Sequence, residues 1–202
     1  MDIITKSIKD GVEIQLNKEI ESITIEDLKQ IKNITINRLG YGEDILKIDY
    51  DEMLYFEDLE ELNIFNCMIN KKAMENITKL KKIKILNIYN SDFVDYIDDM
   101  FSNINIERLV ISDTVGISKI TLKNLKYLEL RNIKDIDLLI KDVDILDISN
   151  TEMNIRKLNL ANVKQVIISK RNYDDGIKYD DFNSDIIIVD NKRNIIKEIK
   201  NA

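Results

Sequence analysis

Aliphatic positions recur along this chain in one figure: aliphatic, two residues, aliphatic, one residue, aliphatic, two residues, then a small or polar residue. It reads Leu59-x-x-Leu62-x-Ile64-x-x-Cys67, Ile83-x-x-Leu86-x-Ile88-x-x-Ser91 and Ile106-x-x-Leu109-x-Ile111-x-x-Thr114. It continues as Leu125-x-x-Leu128-x-Leu130-x-x-Ile133, Val143-x-x-Leu146-x-Ile148-x-x-Thr151 and Val163-x-x-Val166-x-Ile168-x-x-Arg171. Weaker copies flank these, Ile31-x-x-Ile34-x-Ile36 and Ile186-x-Ile188-x-x-Asn191. From Leu62 through Leu86, Leu109, Leu128 and Leu146 to Val166 the steps are 24, 23, 19, 18 and 20, and a further 20 leads to Ile186. Two aliphatics separated by one residue point to the same side of a strand. One such strand cannot bury them alone, whereas stacked neighbours can. The residue before the ninth position is Asn66, Asn90, Asp113, Asn132 and Asn150 in five successive copies. The ninth itself is Cys67, Ser91, Thr114, Ile133 and Thr151, and a polar group there is placed to bond backbone where the chain leaves the strand.

In this figure and spacing the chain resembles the leucine-rich-repeat superfamily, closest in texture to the irregular repeats of Gram-positive bacteria, including internalin-like proteins. The resemblance implies an α/β fold. It would be a right-handed, curved solenoid of parallel strands with helices or short turns on its convex side. Residues 1–202 would form one domain, with an N-terminal cap over 1–30, seven to eight repeats over 31–191 and a tail over 192–202. The usual ninth-position Asn is mostly replaced, and uneven repeat lengths imply uneven curvature.

The longer early repeats have room for helices. Ala73, Met74, Ile77 and Leu80 recur at helical spacing, as do Phe93, Val94, Ile97, Met100 and Phe101, the latter behind Ser91 or Asp92 as N-cap. The repeats of 18–20 residues leave room only for a turn or a 3₁₀ segment. An alternating run of Val12, Ile14 and Leu16, followed by a short helix about 26–31, forms the cap. Residues 192–202 fit a short strand or a helix, and both stay open. Gly40-Tyr41-Gly42 has no third glycine and is expected to be a loop between the first two strands.

Composition narrows the function. There is no His, which removes the commonest general base and metal ligand, and a single Cys, which excludes an internal disulfide. With no His, a Cys–His nucleophile is impossible, and Cys67 is expected as a small buried residue. The net charge of -7 argues against nucleic acid as a partner. The first residues lack a signal-peptide pattern, and uninterrupted apolar runs reach only four residues, at 53–56 and 186–189, far short of a membrane span. A cytoplasmic protein with no membrane association, cofactor or metal is expected. The acidic group Asp174, Asp175, Asp180, Asp181 and Asp185 lacks calcium-loop spacing and is expected as a solvated loop.

Strand positions pointing away from the core would line the concave face. Over adjacent strands they assemble Phe65, Ile85, Tyr89, Arg108, Val110, Tyr127, Glu129 and Arg131. Tyr and Arg dominate binding energy at interfaces, and exposed apolar patches mark interaction sites. The expected function is therefore a protein-interaction module, a monomer that binds a protein partner through this face and catalyses nothing. The alternatives are a structural or self-associating solenoid protein with a homo-oligomeric form, or a small inhibitor, adaptor or immunity-type binder. An enzyme is disfavoured because the repeats leave no stretch for a catalytic insert.

The second position of the figure reads Lys32, Glu60, Lys84, Glu107, Lys126, Asp144 and Lys164, alternating in sign at every step. Parallel strands lie about 4.8 Å apart, so each charge would face opposite charges on both sides along one margin of the sheet. Glu107→Lys would place lysines on three consecutive strands. Thermal melts of this variant should show a lowered midpoint at low salt and a smaller loss at high salt. A loss independent of salt would contradict the ladder.

Overall fold

The computed structural model describes residues 6–37, 50–95, 97, 99–133, 136–151, 158–171 and 184–200. Its fold is mixed α/β, with an open, mostly parallel sheet and few helices. Nine strands follow one another in chain order: β1 (Asn33–Asn37), β2 (Glu61–Phe65), β4 (Ile85–Tyr89), β6 (Arg108–Ser112), β7 (Lys119–Arg131), β8 (Asp137–Asn150), β9 (Val163–Ser169), β10 (Asp185–Val189) and β11 (Ile195–Ile199). All neighbours are parallel except β10 and β11. The short pieces β3 (Met68–Ile69) and β5 (Asp92–Phe93) form a second, two-stranded parallel sheet.

The aliphatic figure sets the register. Ile34 pairs with Leu62, Leu62 with Leu86, Leu86 with Leu109, Leu109 with Leu128, Leu128 with Leu146, Leu146 with Val166 and Val166 with Ile186. All of these side chains are buried in one core, as are Ile36, Ile64, Ile88, Ile111, Leu130, Ile148, Ile168 and Ile188 two residues on. Each strand therefore sends two aliphatics inward. The chain then leaves the strand at Asn66, Asn90, Asp113 and Asn132, all with positive φ, a region that Asn and Asp enter more readily than other side chains. These residues stack as well: Asn66 Nδ2 donates to Asn37 Oδ1 (2.9 Å), Asn90 Nδ2 to Asn66 Oδ1 (2.5 Å) and Asn132 Nδ2 to Asp113 Oδ1 (2.6 Å). The ninth-position residues Cys67, Ser91, Thr114, Ile133 and Thr151 are all buried. The Ser91 hydroxyl donates to Tyr89 O and accepts from Cys67 N, and the Thr151 hydroxyl donates to Ile133 O. At Cys67, Ser91 and Thr151 the small polar group satisfies backbone that has just left the ladder.

Several connecting segments differ from expectation. Helix α3 (Lys71–Ile77) forms as expected, capped by Asn70, whose side chain accepts from Ala73 N. Among the described residues of the 93–101 segment, no α-helix forms. Asp92 N donates to Cys67 O, Phe93 N to Val115 O and Val94 N to Ile69 O, so the start of the stretch runs extended against neighbouring layers. Only Met100–Asn103 makes a 3₁₀ turn, with Phe93 and Phe101 in edge-to-face contact. The shorter steps contain strand where a bare turn or 3₁₀ segment was expected. The first part of β7 pairs with the first part of β8, Ile120 with Leu138 and Leu122 with Ile140, all four buried. Asn124 and Asp142, both at positive φ, then interrupt the alternation before the inward pairs resume. Gly116, at φ +83°, is required by the same layer, since a Cβ there would lie 1.9 Å from Phe93 O.

The ends of the sheet are closed differently. The Val12, Ile14 and Leu16 run is part of helix α1 (Lys6–Leu16) and not an alternating strand: Ile8 and Val12 are buried while Ile14 is exposed, the spacing of one helix face. Gly11 lets α1 approach β1, its missing Cβ lying 3.2 Å from Thr35 O. Helix α2 (Ile25–Lys29) follows with a capping box between Thr24 and Asp27. At the other end, the tail left open between strand and helix forms β11, which runs antiparallel to β10. Gly40-Tyr41-Gly42 and Asp174, Asp175, Asp180 and Asp181 lie outside the described residues. Asp185 sits on β10 and pairs with Lys200 at 3.0 Å. No helix among the described residues is long and apolar enough to cross a membrane.

The alternating charges fall on one margin of the sheet. Glu60 lies 3.5 Å from Lys32 and 2.6 Å from Lys84, Glu107 lies 2.7 Å from Lys126, and Asp144 lies 2.6 Å from Lys164. The lysines hold the Glu60 and Glu107 carboxyls below the ordinary range through hydrogen bonds first and Coulombic attraction second.

Leu128 stands between Leu109 and Leu146 in the middle of this core. Leu128→Ala should cost about 2–5 kcal/mol in a urea or thermal unfolding experiment, from lost burial and the cavity left behind. A loss below about 1 kcal/mol would show that the ladder is not the source of stability.

Candidate functional site

The face of the sheet opposite the core carries all eight residues of the expected contact grid, on four adjacent strands. Register brings Phe65 beside Tyr89, Arg108 beside Ile85 and Tyr127, and Val110 beside Glu129. The rings of Phe65 and Tyr89 stack at 4.7 Å and 12°, and the Arg108 guanidinium lies over the Tyr127 ring, 4.6 Å from its centroid. Arg108 is exposed, while Phe65, Ile85, Tyr89, Tyr127 and Arg131 are half-buried. Two grid members are not available surface. Val110 is wholly buried, and the Glu129 side chain is only 2% exposed. Beside Val110, Asn87 Nδ2 donates to Asn63 Oδ1 at 2.7 Å, while the buried Asn87 Oδ1 has no hydrogen-bond partner.

Glu129 is buried because it belongs to a polar cluster. Its register partner on β8 is Asp147, whose side chain is 1% exposed. Two carboxylates facing each other on neighbouring strands repel, and burying them removes the water that would screen the repulsion. The cluster offsets this with donors from three directions. Arg131, two residues along β7, reaches Glu129 Oε1 at 2.5 Å. Ser149 donates its backbone N–H (3.1 Å) and hydroxyl (2.7 Å) to Asp147 Oδ1. The geometry there follows from a bulge: Glu129 faces Asp147, but Arg131 faces Asn150, so β8 carries one extra residue next to the site. The Tyr127 hydroxyl lies 3.1 Å from Glu129 Oε2 and 3.2 Å from Asp147 Oδ2, bridging the pair with its single proton.

The remaining donor comes from far along the chain. Arg193, in the turn between β10 and β11, places Nη1 2.6 Å from Glu129 Oε1 and Nη2 against Asp147 Oδ2. That turn is organised by Asp190, whose Oδ1 accepts from Lys192 N (2.8 Å) and Asn194 N (2.9 Å), and Arg193 itself has φ +66°. Sequence spacing left Asp147 outside the grid and gave Arg193 no role. No local pattern marks Arg193, because its significance depends on where an antiparallel hairpin delivers it.

Burial acts most strongly on the Glu129 carboxyl and pushes its pKa up, but bonds from Arg193 and Arg131 outweigh it and leave the group below the ordinary carboxylate range. The Tyr127 phenol is pushed well above its usual value by burial and then by the charges of Asp147 and Glu129, so it stays protonated as a donor. The Arg193 guanidinium is stabilised as a cation, foremost by its bond to Glu129. The cluster is thus a carboxylate pair arranged to hold a guanidinium. Among the described residues no group of three or more His, Cys, Asp or Glu is placed to hold a metal ion.

The sign of the pH dependence follows. With its pKa lowered on folding, Glu129 stabilises the fold above the unfolded value of about 4.3 and loses that contribution as pH falls through the folded pKa. In Arg193→Gln the largest opposing influence is gone, and burial should move the Glu129 pKa up against the remaining pull of Arg131. The stability this group loses as pH falls through its folded pKa should then be smaller than in the wild type. Urea midpoints of both proteins between acid and neutral pH check this, and parallel profiles would contradict it.

No protein-family model matches this chain, and no curated protein matches it.

Proposed function

We propose that this chain is a protein-interaction module of the leucine-rich-repeat type, a right-handed curved solenoid that binds a protein partner through the concave, outward face of its sheet. Support for the solenoid comes from strands that follow chain order and from aliphatic pairs that stay in register across them. The observation that carries the function is the outer surface of β2, β4, β6 and β7, where the Phe65–Tyr89 stack at one end of the strands and the Arg108–Tyr127 pair at the other take no part in the core. Rigid aromatic side chains and arginine supply contact area at small entropic cost. In this reading the protein works in the cytoplasm as a monomer, needs no cofactor and catalyses nothing. Its partner is neither nucleic acid nor membrane.

Self-association is favoured by one feature. The outer edge of β11 ends the sheet, with Ile195 58% and Ile196 50% exposed. Exposed edges template further pairing, although Lys197 and Lys200 on or beside this strand oppose it. Light scattering separates the readings, since a monomer at working concentration removes the second.

Tyr89 and Arg108 are the residues to truncate, because Tyr127→Ala or Arg131→Ala would strip donors from buried Glu129 and confound binding with stability. Tyr89→Ala should cost about 0.5–1.5 kcal/mol for the lost aromatic pair, plus the partial burial of a half-exposed ring, with no core cavity opened. A protein captured from the native cell by the wild type should be lost by Tyr89→Ala/Arg108→Ala. Its affinity for the purified chain should fall by about 2 kcal/mol or more at one of the two positions. Unchanged capture and affinity in a folded double variant would refute the proposed surface.

A further inference from the structure

We propose that Glu129 and Asp147 form a receptor for a guanidinium group, that Arg193 fills it as an autoinhibitory contact, and that a protein partner engages it with an arginine of its own once the β10–β11 turn lifts away. For the partner, this rests on the interaction reading above; the receptor itself does not.

The chemistry of the occupant follows from the lone pairs that remain. Asp147 Oδ1 is committed to Ser149, and Glu129 Oε1 already accepts from Arg131. A divalent metal needs more free oxygens than this and would sit against the Arg131 cation. Arg193 instead spans the two strands with its separate Nη atoms, one to each carboxylate, while the Tyr127 hydroxyl fills the space between them. A planar fork can do this, whereas a lysine ammonium is a single point of charge.

The two guanidiniums at the site differ in how they are held. Arg131 grows from β7, two residues from Glu129, and reaches it along its own strand. Arg193 arrives on a turn stapled by Asp190, so it moves as part of a unit. Its side chain is 39% exposed, and β11 is exposed from Ile195 to Glu198, so little apolar burial fastens this end of the hairpin. The contact is therefore mainly electrostatic, and another guanidinium in the same place recovers what its departure loses. Tyr127 belongs both to this cluster and to the aromatic surface beside Arg108, so a partner seated on that surface borders the receptor.

Thermal melts with small cations test the receptor without any partner. Arg193→Ala should melt several degrees below the wild type, and millimolar methylguanidinium should raise its midpoint while leaving the wild type unmoved. Methylammonium at the same concentration should do neither, and Glu129→Gln/Arg193→Ala should not respond. If Arg193→Ala does not fold, Arg193→Gln takes its place. In the wild type, the Arg193 Nε–H resonance should shift as N-acetyl-arginine amide is added and not with the lysine analogue. A folded Arg193 variant indifferent to methylguanidinium, or a double variant that still responds, overturns the receptor. With the partner in hand, Arg193→Ala should bind it roughly tenfold more tightly than the wild type, and equal affinity overturns the autoinhibition. Failure to find a partner alongside intact rescue would remove the interaction reading and leave the receptor standing.

Discussion

The whole structure depends on parallel register. Each strand contributes two inward aliphatics at positions i and i+2, and the hydrogen-bonded ladder places them against the same two positions of the next strand. Leu86, Leu109, Leu128 and Leu146 are in line because of this. A slip of one residue would turn the aliphatics outward and put Asn87, Val110, Glu129 and Asp147 in the core, so every alternative register is penalised strongly. The charge margin and the asparagine stack inherit their alignment from this pairing, and their own interactions are too weak to impose it.

Much of the fold was legible because that constraint leaves its period in the sequence. The pairing of Leu62 with Leu86 or Val166 with Ile186, the small buried groups at Cys67 and Ser91, and the alternating Lys and Glu margin all follow from local spacing. The misreadings differ in cause. At 93–101 apolar residues fall at helical intervals, yet the backbone there bonds to adjacent layers at Cys67, Ile69 and Val115. Tertiary competition decides such a segment, and periodicity carries no record of it. The strand pieces around Ile120–Leu122 and Leu138–Ile140 did carry a signal, a short alternation ending at Asn124 or Asp142, that the allowance for a bare turn overrode.

The candidate site was legible in its members and not in its state. The eight grid positions lie on one face in the expected order, but alternation says only which way a side chain points. It cannot say that Val110 is covered or that Glu129 is neutralised by a residue three strands away. Buried like charges are costly enough that a distant cation is almost obligatory. Glu129 and Asp147, two acidic residues at the same position of neighbouring copies, held a clue to a missing cation without saying where it would come from.

The Arg193 contact also bears on how the protein assembles. Strand pairing joins segments close in sequence, so the sheet can extend one strand at a time with modest loop-closure entropy at each step. Arg193 and Glu129 are 64 residues apart, and their contact needs β8, β9, β10 and β11 already in place. Until then Glu129 and Asp147 face each other without their principal counter-ion. A chain whose C-terminal hairpin has not docked would therefore display that unpaired acidic couple as the mark of an unfinished fold.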